Sequence, residues 1–178
     1  MHATTIAVAA AFAIGIFASW MFIGAAAAVI FALVFIQKLL SGFFDGINDE
    51  LGVEFITVPM ILAGMIYGPM PAFLFGFFGL PFFECVRWAI KTPALSGGWP
   101  PIIPSPDVLV DAIVGAAAGI LLIFIPIVWA GPICVIMKGI MAPIKDSLVY
   151  GVPPRPTIAI NVLFNIFLFG ALMFVVKL

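Results

Sequence analysis

The sequence predicts an all-α integral membrane protein: a single transmembrane domain over residues 1–178, folded as a six-helix transmembrane bundle. Three observations predict it. Hydrophobic residues make up 65% of the chain and charged residues only 8%, so long runs must be free of charge. No ionisable side chain occurs between Thr5 and Ile36. A bilayer core cannot hydrate backbone amides, so such runs are stable there as helices whose amides bond one another. At about 20 residues per span the chain has room for roughly five to seven spans. No soluble domain of ordinary size, about 100 residues or more, fits between them.

The first apolar block runs from about Thr5 to Leu40. Its roughly 36 residues would reach about 54 Å as a helix, against a hydrocarbon core near 30 Å. It is either one long tilted helix with an interfacial extension or a tight pair breaking between Ser19 and Gly24. It lacks a basic leader region and exceeds the apolar core of a signal peptide, so it reads as a retained anchor. Ser41 to Glu54, with Asp45, Asn48, Asp49 and Glu50, reads as a solvated acidic loop without calcium-binding spacing. Phe55 to Tyr67 is a short apolar segment interrupted by Pro59, and Gly68, Pro69, Met70 and Pro71 read as a turn.

Ala72 to Ile90 is the next helix, closing on the polar ridge of Glu84, Arg87, Trp88 and Lys91. A Gly- and Pro-rich loop containing Trp99 leads to a small-residue-rich span from Val108 to Ala130. Asp107 fits its N-cap, and Asp111 is a first-turn carboxylate favoured by the helix dipole. Pro132 to Tyr150 carries Lys138 and Lys145, seven apart and roughly cofacial, with Asp146 beside them. A stiff connector, Val152 to Pro156, precedes the last helix, about Thr157 to Val176.

The net charge of −1 excludes a broad basic surface, and with it nucleic acid as a partner. Cys85 and Cys134 lie in apolar stretches and read as buried thiols, and His2 is the only histidine, so no metal or cofactor is expected. No nucleophile–base–acid set and no phosphate-cradling loop is present, so the chain reads as no enzyme. Four sets of residues remain as candidates. Asn161 and Asn165 share a face of the last helix and serve either as interhelical glue or as ligand contacts. Arg87, Trp88 and Lys91 form either an interfacial helix end or the mouth of a site, and their cations hint at an anionic or carboxylate-bearing ligand. Trp99 sits in the adjoining loop. Small-residue spacings such as Ala9 with Ala13 suit close helix contact.

Residues 53–69 (VEFITVPMILAGMIYGP) and 73–79 (FLFGFFG) together resemble the second and third helices of the substrate-binding S components of energy-coupling-factor (ECF) vitamin transporters. Residues 96–100 (SGGWP) before an Ala/Gly-rich helix resemble that family's third loop and fourth helix, and Asn161 and Asn165 resemble its ligand-facing last helix. The resemblance implies a six-helix subunit of an importer in a prokaryotic cytoplasmic membrane. Its vitamin or other micronutrient would be held by Asn161, Asn165, Arg87, Trp88, Lys91 and Trp99. It also implies partners that this chain lacks: a coupling membrane subunit, docked at Ala9 and Ala13, and two ATPase subunits.

A six-helix topology with the N-terminus inside leaves the short inside turns without lysine or arginine, against the positive-inside tendency. Splitting the first block into two spans places Lys38, Arg87, Lys91 and Arg155 on the cytoplasmic side, and it departs from the six-helix pattern that the resemblance implies. A rival reading from composition is a ligand-free accessory subunit of a larger membrane complex. Convergence of the intramembrane polar residues on one place would separate the two.

Overall fold

The computed structural model describes residues 2–39, 53–90 and 104–176. The described residues are helical, joined by turns, with no strand among them. The helices are α1 (His2–Phe22), α2 (Ala25–Leu39), α3 (Thr57–Tyr67), α4 (Pro69–Leu74), α5 (Leu80–Ile90), α6 (Pro106–Leu121), α7 (Ile127–Lys145) and α8 (Ile158–Val176). A π-helical turn, Phe75–Gly79, joins α4 to α5 in one rod, and a second, Asp146–Tyr150, extends α7. The described chain therefore makes seven helical rods, one more than the expected six.

The extra rod comes from the break in the N-terminal block. Gly24 adopts φ +122°, a region L-residues with a Cβ rarely enter. The N–H groups of Ile23 and Gly24 both donate to Ser19 O, closing α1, and Ala28 N–H donates to Gly24 O, opening α2. The two helices return on each other as a hairpin, with Phe12 packed against Phe31 and Phe35 and Gly15 facing the Phe31 ring.

α3 is the central rod. Every residue from Thr57 to Gly64 is buried, as expected of a short helix that is apolar all round. Pro59 is tolerated because first-turn N–H groups have no helical acceptor. Gly68, at φ +92°, ends the helix, and Pro69 already starts α4, so the expected four-residue turn shrinks to one residue. α3 and α4 form a second hairpin around α6. Gly64 meets Gly115 and Gly119, Pro69 meets Gly119, and Gly76 meets Ala112.

Two expected boundaries move. α6 ends at Leu121 rather than Ala130, because the break falls at Leu122–Pro126. Pro126 caps α7, and Pro132 lies inside it. The N-cap of α6 is Ser105, whose Oγ accepts from Val108 N–H at 3.4 Å, which leaves Asp107 in the first turn with its carboxylate available to α7. α7 runs antiparallel to α6 and α8: Lys138 reaches Asp111, Lys145 reaches Asp107, Gly131 lies against Phe169, and Gly139 faces Val162.

The up-and-down order gives the bundle two unlike ends. Turns at Gly24, Gly68 and Leu122–Pro126 form one end, where Phe22, Ile23, Met70, Ile123 and Phe124 are exposed and no described residue is charged. The other end gathers Lys38 in the last turn of α2, Arg87 in the last turn of α5, Asp107, Lys145, Asp146 and Arg155.

Candidate functional site

The polar side chains that the helices bury come together. Lys138, midway along α7, lies 2.6 Å from Glu54 Oε1 and 2.6 Å from Asp111 Oδ1, with side-chain exposures of 12%, 14% and 9% for Lys138, Glu54 and Asp111. Thr57 donates its hydroxyl to the same Glu54 oxygen. Glu54 was expected in a solvated loop. It is instead drawn inward, because Thr57 opens α3 at the depth where Lys138 faces the interior. Next to it, Phe55 N–H donates to Gln37 Oε1 of α2 at 2.9 Å, satisfying a buried amide side chain.

α8 adds Asn161 and Asn165. Asn165 is fully buried; its Nδ2 donates to Asn161 O at 2.9 Å and to Asn161 Oδ1 at 3.2 Å. Among the described residues the pair thus bonds within its own helix, whereas the glue reading calls for a bond to a neighbouring helix. Asn165 Oδ1 is buried and finds no donor among the described residues. Phe164 sets its ring edge-on to Phe55 at 5.5 Å between centroids, which puts the asparagine turn of α8 beside the Glu54 segment. Five elements, α2, the start of α3, α6, α7 and α8, therefore contribute to one interior polar band.

A second ion cluster lies two helical turns further along α7. Lys145 bonds Asp107 and lies 2.7 Å from Asp146, while its ammonium sits 5.4 Å from the centre of the Tyr150 ring. The π turn after Lys145 brings Tyr150 back over the lysine, and its hydroxyl lies 3.5 Å from Asp107 Oδ2. The Asp107 side chain is 59% exposed, so water competes for this cluster. Lys145→Ala is expected to lower stability by less than about 1 kcal/mol. Melting of the purified protein checks this, and a larger loss would place the cluster in the interior.

The structure brings together only part of the site expected from sequence. Asn161 and Asn165 lie one turn apart on α8, bonded to each other. Arg87 and Trp88 fall in the last turn of α5, with side chains outside the described set, and Lys91 and Trp99 lie outside the described residues. Ala13 is exposed on α1, and the Ala9 side chain is outside the described set. Sequence reasoning missed the union of Glu54, Asp111 and Lys138, although a signal was present. Asp107 and Asp111 repeat one turn apart, and Lys138 and Lys145 repeat two turns apart, so antiparallel α6 and α7 pair both.

A cavity of about 250 Å³ lies near the uncharged end, between α1, α2, α3 and α4. Ile23, Ala27, Ile30, Ala63, Ala72 and Phe75 are among its lining, which is almost wholly apolar. It is separate from the polar band. Comparison with protein families, curated proteins and solved structures returns no match for this chain.

Proposed function

We propose that the chain is a membrane-embedded small-solute-binding subunit of an importer, of the type the ECF S components represent. The observation that carries this reading is the convergence of Gln37, Glu54, Thr57, Asp111, Lys138 and Asn165 on one interior band, inside a bundle whose outer surface is apolar. A soluble protein places charge outside and bulky hydrocarbon inside. Here Ile133, Ile136, Ile140 and Ile144 of α7 and Leu163, Phe167 and Phe174 of α8 face outward, while the ion cluster is enclosed.

Interfacial aromatics support the same placement. Exposed Trp20, Tyr67 and Trp129 lie near the uncharged end, and exposed Tyr150 lies at the charged end, with Trp88 in the last turn of α5. Trp129 and Tyr150 stand about 32 Å apart along α7 and its π extension, close to the thickness of a hydrocarbon core. Ile127–Tyr150 is long and apolar enough to cross a bilayer, and only 22% of its apolar window is buried inside the protein. On that scale Lys138 is about 14 Å from Trp129, near the bilayer midplane. Ionisable groups at that depth are costly and are the usual mark of a functional site.

The resemblance fits this frame once α1 is set apart. The rods from α2 to α8 number six, in an up-and-down order, and α1 is an addition before them. The small residues that open α2, Ala25, Ala26, Ala27 and Ala28, then stand where the resemblance implied Ala9 and Ala13 for docking the coupling subunit. The subunit binds and releases; ATPase partners supply the energy.

Native mass spectrometry of the gently extracted protein tests the reading. A stoichiometric small molecule, lost in Asn161→Ala/Asn165→Ala, is the expected result. An empty chain that arrives with several unrelated membrane subunits would overturn it in favour of an accessory role. Orientation gives a second check, because an importer's site opens outward. Val152→Cys, with Cys85 and Cys134 replaced by alanine, should react with an impermeant maleimide in intact cells. Reaction only after permeabilisation would follow the bias of Lys38, Arg87, Lys145 and Arg155 toward the cytoplasm, and would remove the importer reading.

A further inference from the structure

Resting on the membrane placement argued above and not on solute binding, we propose that the cavity between the α1–α2 and α3–α4 hairpins is a lipid site, which takes one acyl chain of a membrane glycerolipid. The cavity, about 250 Å³, is roomier than the apolar cavities of about 150 Å³ that stay dry and take up benzene. Its floor is made by Ala27 and Ile30 of α2, Ala63 of α3 and Ala72 of α4, all of them buried. Ile23 and Tyr67 belong to the same lining and are exposed, so the cavity reaches the outer surface.

The room is built into the fold. Phe31 forms part of the wall, and its ring is held in place: a Cβ on Gly15 would come within 3.0 Å of it, and the Phe12 and Phe83 rings pack on it with centroids 5.9 and 5.2 Å away. Phe75 forms another part, and its ring lies over Gly79 of the π turn, where a Cβ would stand 2.9 Å from it. Neither ring is free to swing into the gap. α3 meets α6 backbone to backbone at Gly64, Gly115 and Gly119, so drawing α3 toward α2 would give up that contact. Protein interiors are otherwise close-packed, and a gap that two rigid hairpins hold open over small floor residues is a place for a guest.

The chemistry of the gap selects the guest. Hydrocarbon entering it gains dispersion contacts with the aromatic walls and the alanine floor, whereas water finds too few polar partners. Among its described lining only Ser19 and Tyr67 carry a polar side chain, a hydroxyl each. Tyr67 directly precedes the turn at Gly68, at the level of a membrane interface, where tyrosine rings are enriched. Phe31 and Phe75 stand seven residues beyond the turns at Gly24 and Gly68, about 10 Å toward the interior. A glycerolipid matches that order, with its ester at the level of the Tyr67 hydroxyl and its chain directed inward. Trp20 and Leu74, next in sequence to Ser19 and Phe75, are exposed, as are Phe17 and Phe78, so the opening lies within the surface that the membrane placement gives to lipid. A partner helix laid over that surface would put a side chain into the cavity; a lipid fills it with a whole chain.

The test places the full chain in nanodiscs of phosphatidylcholine that carries a photoactivatable diazirine on one acyl chain, and maps the labelled residues by mass spectrometry. Lipid around the bundle labels exposed Phe17 and Phe78, which calibrate the reaction. The expected result is label on Ala63 or Ala72 as well, since only a chain inside the cavity reaches the buried floor. Ala27→Leu fills the cavity, so labelling of the floor should fall about tenfold or more while Phe17 and Phe78 keep theirs. Ala63→Leu, read at Ala72, serves the same purpose should Ala27→Leu fail to fold. An unlabelled floor beside labelled Phe17 and Phe78, or floor labelling that survives in the folded variant, overturns the lipid site. Absence of label from Phe17 and Phe78 as well would show the chain outside the bilayer and remove the membrane placement together with this proposal. The solute measurement on Asn161→Ala/Asn165→Ala reports on the polar band alone, so its failure would remove the importer and leave the lipid site standing.

Discussion

Lys138→Met should destabilise the protein by about 3–5 kcal/mol, because it leaves Glu54 and Asp111 facing each other in the interior with no cation between them. For a chain of this length that is a fall of roughly 6–20 °C in melting temperature. Methionine matches the lysine stem, so the loss reports charge and not a cavity. The triple variant Lys138→Met/Glu54→Gln/Asp111→Asn makes the point sharper. A buried ion cluster replaced as a whole is often neutral in stability, since its desolvation cost goes with it. The triple variant should therefore recover most of the stability that the single variant loses. Equal melting of Lys138→Met and the unaltered protein would show that water reaches the cluster and that its depth has been overstated.

The cluster also shows what the sequence makes legible. Helices were visible throughout because apolar runs and Gly–Pro junctions mark them at short range. The Gly68–Pro69 junction is legible as a break but not in its length, since φ restriction and a missing N–H act within one or two residues. The sequence leaves the break at Gly24 as one of two options. A lone glycine in a helix costs about 1 kcal/mol and need not end it. What decides is the packing of Phe12 on Phe31 and Phe35 in the returning helix, a contact across about twenty residues of chain.

The α6–α7 turn was misplaced for a different reason. Leu122, Ile123, Phe124 and Ile125 carry no polar signal, so composition ran straight through a turn. Turns are polar where they meet water, and this one lies at the uncharged end of the bundle. The site was legible residue by residue and illegible as a whole. Asn161 and Asn165 stand out because buried amides in an apolar run need hydrogen-bond partners. Glu54 did not, because it closes a stretch of acids whose nearest sequence context is aqueous. Its burial follows from Thr57 and Lys138, the second of these in a helix that only the fold brings near.

The contact that sets this geometry predicts the second large effect. Gly64→Ala should lower stability by about 3 kcal/mol or more, at the top of the range for overpacked sites or beyond it. A Cβ at Gly64 would collide with the Gly115 carbonyl oxygen and come within 3.0 Å of Gly119 N. Both atoms belong to backbone, so no rotamer change relieves the clash and α3 must move away from α6. Gly115 and Gly119 have equally little room, at 2.9 Å from Met60 O and 2.7 Å from Gly64 O, so the strain cannot be passed along the crossing. Moving α3 also moves Glu54 and Thr57, which enter the polar band at its first turn, away from Asp111 on α6. Under the proposed solute-binding function, the variant should therefore lose solute binding together with stability, even at temperatures where it remains folded. Gly170→Ala is the control. A Cβ there meets nothing within 4 Å, and alanine favours the helix by up to about 1 kcal/mol, so its melting temperature should hold or rise slightly. If Gly64→Ala behaves like Gly170→Ala, α3 and α6 do not touch at Gly64, and the ion cluster that their contact positions has no fixed frame.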